Sequence, residues 1–205
     1  MSIPNTSVGE LEARLRAEFY RPPRDGVTEV GNTSAIATLR GPRDENQDRA
    51  FIARLVPPSP GYDPITVAAV LDGMGGMKDG DIAAAVAASR FLSSLATSWS
   101  QPLSRRLEAA IVSANAAVFE ALRGDGGTTL TAIAFSGTTN ACAGHAGDSR
   151  LYRSTAPGAL EQVTTDDTFA GLLGESEPGD FEPDGLMQFV GIGASFIPQV
   201  IELSS

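Results

Sequence analysis

Two helical patterns lie back to back in the middle of this chain, with strand patterns on both sides of them. From Asp81 to Trp99 apolar residues fall at Ile82, Ala85, Val86, Leu92 and Leu95. From Leu103 to Leu122 they fall at Leu103, Leu107, Ala110, Ile111, Ala114, Val118, Ala121 and Leu122. Both spacings mark one apolar face of a helix, and Gly124 is placed to end the second. Before them, Thr33–Arg40, Arg49–Val56 and Ile65–Leu71 read as strands, the last a buried β-branched run. After them, Thr129–Phe135 and Asn140–Ala146 read as a hairpin turning at Ser136-Gly137-Thr138-Thr139, followed by strands at Arg150–Arg153 and Gln199–Leu203. Strands, a helix pair and strands again imply an α+β fold with antiparallel sheets packed against the helices, not an alternating βαβ fold.

Glu10–Tyr20 is expected to be a short amphipathic helix, broken by Arg21-Pro22-Pro23-Arg24, with a turn at Asp25-Gly26. Residues 1–32 read as an N-terminal appendage and residues 33–205 as one domain. At 205 residues, 42% hydrophobic and 20% charged, the chain has enough apolar material for one sizeable core. The segment Thr168–Gly185, with Glu175, Glu177, Asp180, Glu182 and Asp184, reads as an acidic surface loop or lid.

Charge and composition exclude several functions. The net charge of −10 argues against DNA, RNA or an anionic membrane as partner, and suits metal cations and basic substrates. His145 is the single histidine and Cys142 the single cysteine, which excludes histidine-rich zinc sites and an internal disulfide. No apolar signal-peptide core and no run of 18 apolar residues occurs, so a cytoplasmic location is expected.

Three places can carry chemistry. In Asp72-Gly73-Met74-Gly75-Gly76 a carboxylate ends a buried strand and a glycine turn follows. Such a turn lets carbonyls and an incoming phosphate come close, and a carboxylate beside an exposed carbonyl suits Mg2+ or Mn2+. Read alone, the segment is equally a tight turn whose Asp bonds the backbone. The dinucleotide-loop fingerprint fails here, because Lys78 stands where a third glycine is needed. In Arg43-Asp44-Glu45-Asn46-Gln47-Asp48 the arginine offers a planar fork for phosphate and Asp48 an acceptor for a metal or its water, although a solvated polar loop reads the same way. Gly126-Gly127-Thr128-Thr129 and Gly147-Asp148-Ser149-Arg150 complete the set; each taken singly is an ordinary turn.

The four segments, in this order at strand ends and with the helix pair between the second and third, resemble the protein phosphatase 2C family, the metal-dependent serine/threonine phosphatases. Thr165-Asp166-Asp167-Thr168 and Leu186–Gly191 echo two later family segments. The resemblance implies a β-sandwich of two antiparallel sheets flanked by helix pairs, with two or three Mn2+ or Mg2+ ions at one end. By the same resemblance Asp72 would bridge two metals, the Gly73 carbonyl would bind one, and Asp48 would hold a metal-bound water. Asp148 would serve a third metal and Arg43 the substrate phosphate. A water would attack phosphorus in line, without a phosphoenzyme. Expected partners are phosphoserine or phosphothreonine proteins, among them a serine/threonine kinase.

The sequence departs from that pattern. Gln47 and Asp167 replace a frequent glutamate and a histidine, and Met74 stands where some members have a histidine proposed as general acid. Methionine donates no proton. The family domain continues into a strand, a Ser-Asp-Gly turn and a final aspartate, and Ser205 comes before them. The resemblance therefore implies missing last strands and two missing metal carboxylates. It leaves two functions open, an active phosphatase and a pseudophosphatase that binds a kinase or phosphoprotein without hydrolysis.

Overall fold

The computed structural model describes residues 7–74, 79–137, 140–173 and 185–203. Gly75, Gly76 and Lys78, the turn residues Thr138 and Thr139, and the acidic positions Glu175 to Asp184 lie outside the described residues.

Five strands form one antiparallel sheet: β3 (Arg49–Leu55), β4 (Ile65–Leu71), β5 (Leu130–Ser136), β6 (Asn140–Ala146) and β9 (Gln199–Leu203), in the spatial order β3-β4-β5-β6-β9. Two antiparallel ribbons stand apart from it, β1 (Gly26–Val30) with β2 (Ser34–Thr38), and β7 (Tyr152–Ala156) with β8 (Ala159–Gln162). The α+β class with antiparallel sheets is thus as expected.

Side-chain alternation decides which face of the large sheet is covered. In β4, Ile65, Val67, Ala69 and Leu71 are buried while Thr66, Ala68 and Val70 point the other way. The helices α2 (Gly80–Leu95) and α3 (Leu103–Leu122) share one core with the buried set. Ala83 to Ala88 of α2 are all fully buried, and such small side chains let the backbones approach closely. Phe91 fills the space between, its burial worth about 1.5–3 kcal/mol. The opposite face is more open. Ile52, Val70 and Ile133 line a cleft of about 250 Å³ there, roofed by Ile36 of β2 and by Leu151.

Helix α3 stops because Arg123 (φ 54°) and Gly124 (φ 84°) take left-handed conformations in succession. From its middle, Asn115 Oδ1 accepts the Gly191 N–H at 2.9 Å and its amide donates to the Gly193 carbonyl at 3.0 Å. This holds the apolar stretch Leu186–Ile192 against the start of β5, where Thr128 and Val190 exchange both backbone hydrogen bonds. An N-terminal helix, α1 (Val8–Phe19), packs on α2 with Leu11 and Leu15 in the common core.

Three elements differ from the sequence reading, one of them β8, which pairs with β7 where no second strand is expected. Asp25-Gly26 does not only turn the chain: Gly26 opens β1, which pairs with β2 from Gly26↔Thr38 to Val30↔Ser34. Within the expected loop, Phe169–Leu173 forms a short helix, α4, because Thr168 Oγ1 accepts the Gly171 N–H at 3.0 Å.

Candidate active site

The register of β3 and β4 creates the site. Arg49 pairs with Leu71, so the next residue outward on each strand, Asp48 and Asp72, meet at the strand ends. Asp72 is pinned through its backbone. Its N–H donates to Thr129 Oγ1 at 3.0 Å, and its carbonyl accepts the Thr129 N–H and the Thr128 hydroxyl, both at 2.9 Å. The Met74 N–H donates to the Gly127 carbonyl at 3.0 Å.

Gly73 closes the corner. A Cβ there would lie 2.3 Å from the Gly80 carbonyl oxygen and 2.8 Å from that of Gln47. Three segments, 47–48, 72–74 and the start of α2, therefore touch backbone to backbone around it. Gln47 Oε1 is buried beside Gly80 with no hydrogen-bond partner among the described residues.

The electrostatics follow from two acids at one spot. The Asp72 carboxyl is held above the usual carboxylate range, first by lost hydration, then by the charge of Asp48 and a side-chain hydrogen bond with it. Arg43 partly offsets this with its positive charge. Two carboxyl groups brought together in this way form a place where a cation can replace the proton favoured on Asp72.

Asp48, Asp72, Gly73 and Arg43 thus come together. Asp148 is exposed and reaches the group indirectly, through its neighbour Ser149, whose Oγ is 2.7 Å from Thr129 Oγ1. Among the described residues no group of three or more His, Cys, Asp or Glu side chains is placed to hold a metal. The oxygen donors are the two carboxylates and the adjoining backbone.

Several residues inside the motifs have supporting roles that the motif reading does not give. Asp167 is one: buried, it accepts the Gly147 N–H at 3.0 Å through Oδ2 and the Gln199 amide at 2.7 Å through Oδ1. It staples the turn that presents Asp148. Arg150 grips Asp166 with two nitrogens, at 2.9 and 2.6 Å, and this pairing pulls the Asp166 carboxyl below its ordinary range.

His145 is fully buried and takes no part in the carboxylate pair. Its Nδ1 is 2.8 Å from Thr131 Oγ1, and its Nε2 has no partner among the described residues. Burial lowers its pKa from 6.5, partly opposed by the charge of Asp167. The unfolded chain therefore takes up a proton that the folded protein refuses. The stability this contributes is complete above pH ~6.5 and is lost as the pH falls towards the folded value. A His145→Asn protein is expected to show a flatter fall of Tm between pH 7 and 5; an unchanged slope would remove His145 as the cause.

Neither a protein-family model nor a curated protein sequence matches the chain. Solved structures do. The serine/threonine phosphatase PstP/Ppp of Mycobacterium tuberculosis superimposes with a TM-score of 0.59 at 28% identity, covering 80% of this chain and 68% of that one. The serine-threonine phosphatase MsPP of Mycobacterium smegmatis, a PPM phosphatase seen with cacodylate, gives 0.56 at 29% identity over 80% and 68%. This is a phosphatase 2C-like fold. Stp1 of Staphylococcus aureus shares it too, with a TM-score of 0.64 at 19% identity over 89% of this chain and 73% of that one. The catalytic domain of PstP has been seen in complex with two manganese ions. Within the phosphatase 2C-like fold, the carboxylate pair of this chain sits at the end of the β3–β4 ladder, beside the start of α2.

Proposed function

We propose that the chain is a metal-dependent protein serine/threonine phosphatase that works at the Asp48–Asp72 pair. The observation that carries this reading is the contact of two carboxyl groups, with an arginine beside them, on a rigid strand end. Asp72 and the Gly73 carbonyl would hold Mn2+ or Mg2+, with Asp48 beside them and Asp148 serving a further ion. Bound cations supply a water of lowered pKa and draw charge from the phosphoryl group. The protein's own part is positioning: Thr128 and Thr129 fix Asp72, and Arg43 presents its fork to the phosphate. Met74 cannot protonate the departing serine or threonine oxygen. The acidic protein would take basic phosphoprotein segments, a regulatory kinase being one candidate.

Among the described residues no helix is long and apolar enough to cross a membrane. Release of phosphate from a phosphothreonine peptide, with Mn2+ and with the metal chelated, tests the proposal. Metal-dependent turnover supports it. Tight peptide binding without turnover would favour the pseudophosphatase reading instead.

Arg43→Ala should raise KM roughly ten- to a hundredfold, the worth of one charge-assisted hydrogen bond of about 1.5–3 kcal/mol. Because Arg43 is exposed, the fold should be unaffected. An unaltered KM would place the phosphate elsewhere.

A further inference from the structure

We infer that helix α1 is an in-chain brace for the carboxylate pair, and that Arg49 is the positioning residue that joins them. This rests on the reading of Asp48 and Asp72 as the metal centre. Arg49 is 5% exposed, although it carries a charge. Its guanidinium spans two elements: Nε donates to the carbonyl of Phe19, the last residue of α1, and Nη1 donates to the carbonyl of Asp48 at 2.7 Å. A planar fork can serve two carbonyls in different directions at once, which an ammonium group does poorly. The carbonyls at a helix C-terminus lack intrahelical partners and favour a cation, so the end of α1 is a natural anchor for it.

The helix itself is firmly held. Ser7 and Glu10 form a reciprocal cap at its start, with hydrogen bonds of 3.3 and 3.1 Å. Leu11 and Leu15 are buried in the core. Glu12 bridges Arg16 at 3.1 Å and Arg90 of α2 at 3.3 Å. The Phe19 ring lies 5.2 Å from that of Phe51 on β3. On the other side, the Asp48 N–H bonds Asn46 Oδ1 at 3.1 Å, and the Asn46 amide bonds Thr38 Oγ1 of β2 at 2.8 Å. Asp48 is therefore held from two directions, and α1 supplies one of them through Arg49. Partners that orient a ligand without touching the metal commonly change its affinity ten- to a hundredfold.

Arg106 provides a matched control. It too is a buried arginine, donating to the Leu95 and Thr97 carbonyls, but it lies at the far end of α2, about 20 Å along the helix from the site. The experiment is calorimetric titration of the full chain with Mn2+, together with Tm measured without metal, for the wild type, Arg49→Lys, Leu15→Ala, Arg106→Lys and Asp72→Asn. Arg49→Lys keeps the charge and loses the fork; Leu15→Ala loosens α1 and leaves Arg49 intact. Both should weaken Mn2+ binding about tenfold. Arg106→Lys should lower Tm and leave the affinity within about twofold. Unchanged affinity in Arg49→Lys and Leu15→Ala, whatever their Tm, would overturn the brace. So would an equal loss in Arg106→Lys, which would reduce the effect to general destabilisation. If Asp72→Asn binds Mn2+ as the wild type does, or the wild type binds none, the metal centre is what fails, and the brace falls with it on that separate ground.

Discussion

On the proposed function, Asp72→Asn is expected to reduce phosphatase turnover by roughly a thousandfold or more, because it would remove a direct cation ligand rather than a supporting group. The amide is nearly the same size, and the backbone bonds from Thr128 and Thr129 that hold position 72 do not involve its side chain. Folding should therefore survive. Stability should even rise slightly near neutral pH, since a carboxyl whose proton affinity is raised on folding opposes the folded state once ionised. Turnover of a phosphothreonine peptide in Mn2+, alongside a denaturation curve, reads both effects. Activity within tenfold of the wild type would move the reacting centre away from Asp72.

A large effect on folding is expected at Gly73. An added methyl would meet the Gly80 and Gln47 carbonyls, and both are backbone atoms that no rotamer change can move aside. Gly73→Ala should cost about 3 kcal/mol or more, the upper range for overpacking. Gly9, in the first turn of α1, is the contrast. Nothing lies within 4 Å of its added methyl, and Gly9→Ala should be neutral or stabilise by up to about 1 kcal/mol. Urea denaturation of the two variants decides the matter. A Gly73→Ala protein within about 1 kcal/mol of the wild type would mean that the corner is looser than the structure has it.

The parts readable in the sequence were those governed by local periodicity. Leu103–Leu122, Ile65–Leu71 and Asn140–Ala146 have the boundaries that their apolar spacing implies. Strand β2 lies within the expected Thr33–Arg40, but β1 and its pairing escape the sequence because Gly26 suggests a turn and the partner lies beyond a further turn. The position of Asp72 was legible from a buried strand running into glycine. Its contact with Asp48 was not, because it depends on the register of β3 against β4, which no single segment encodes. Asp167 was invisible as a staple for the same reason: its partners, Gly147 and Gln199, are 20 and 32 positions away.

The helix pair interrupts the sheet between two strands that are neighbours in space. Thr129 and Asp72, which meet at the site, are 57 positions apart in the chain. Closing a loop of that size costs about 2.5 kcal/mol more chain entropy than closing a three-residue hairpin. Asp72 and the threonines that pin it thus lie on opposite sides of a long detour. A chain that has emerged only as far as α3 carries both acids but not the threonines that hold the Asp72 backbone. Competence at this centre is a property of the closed domain and of no fragment on either side of the helices.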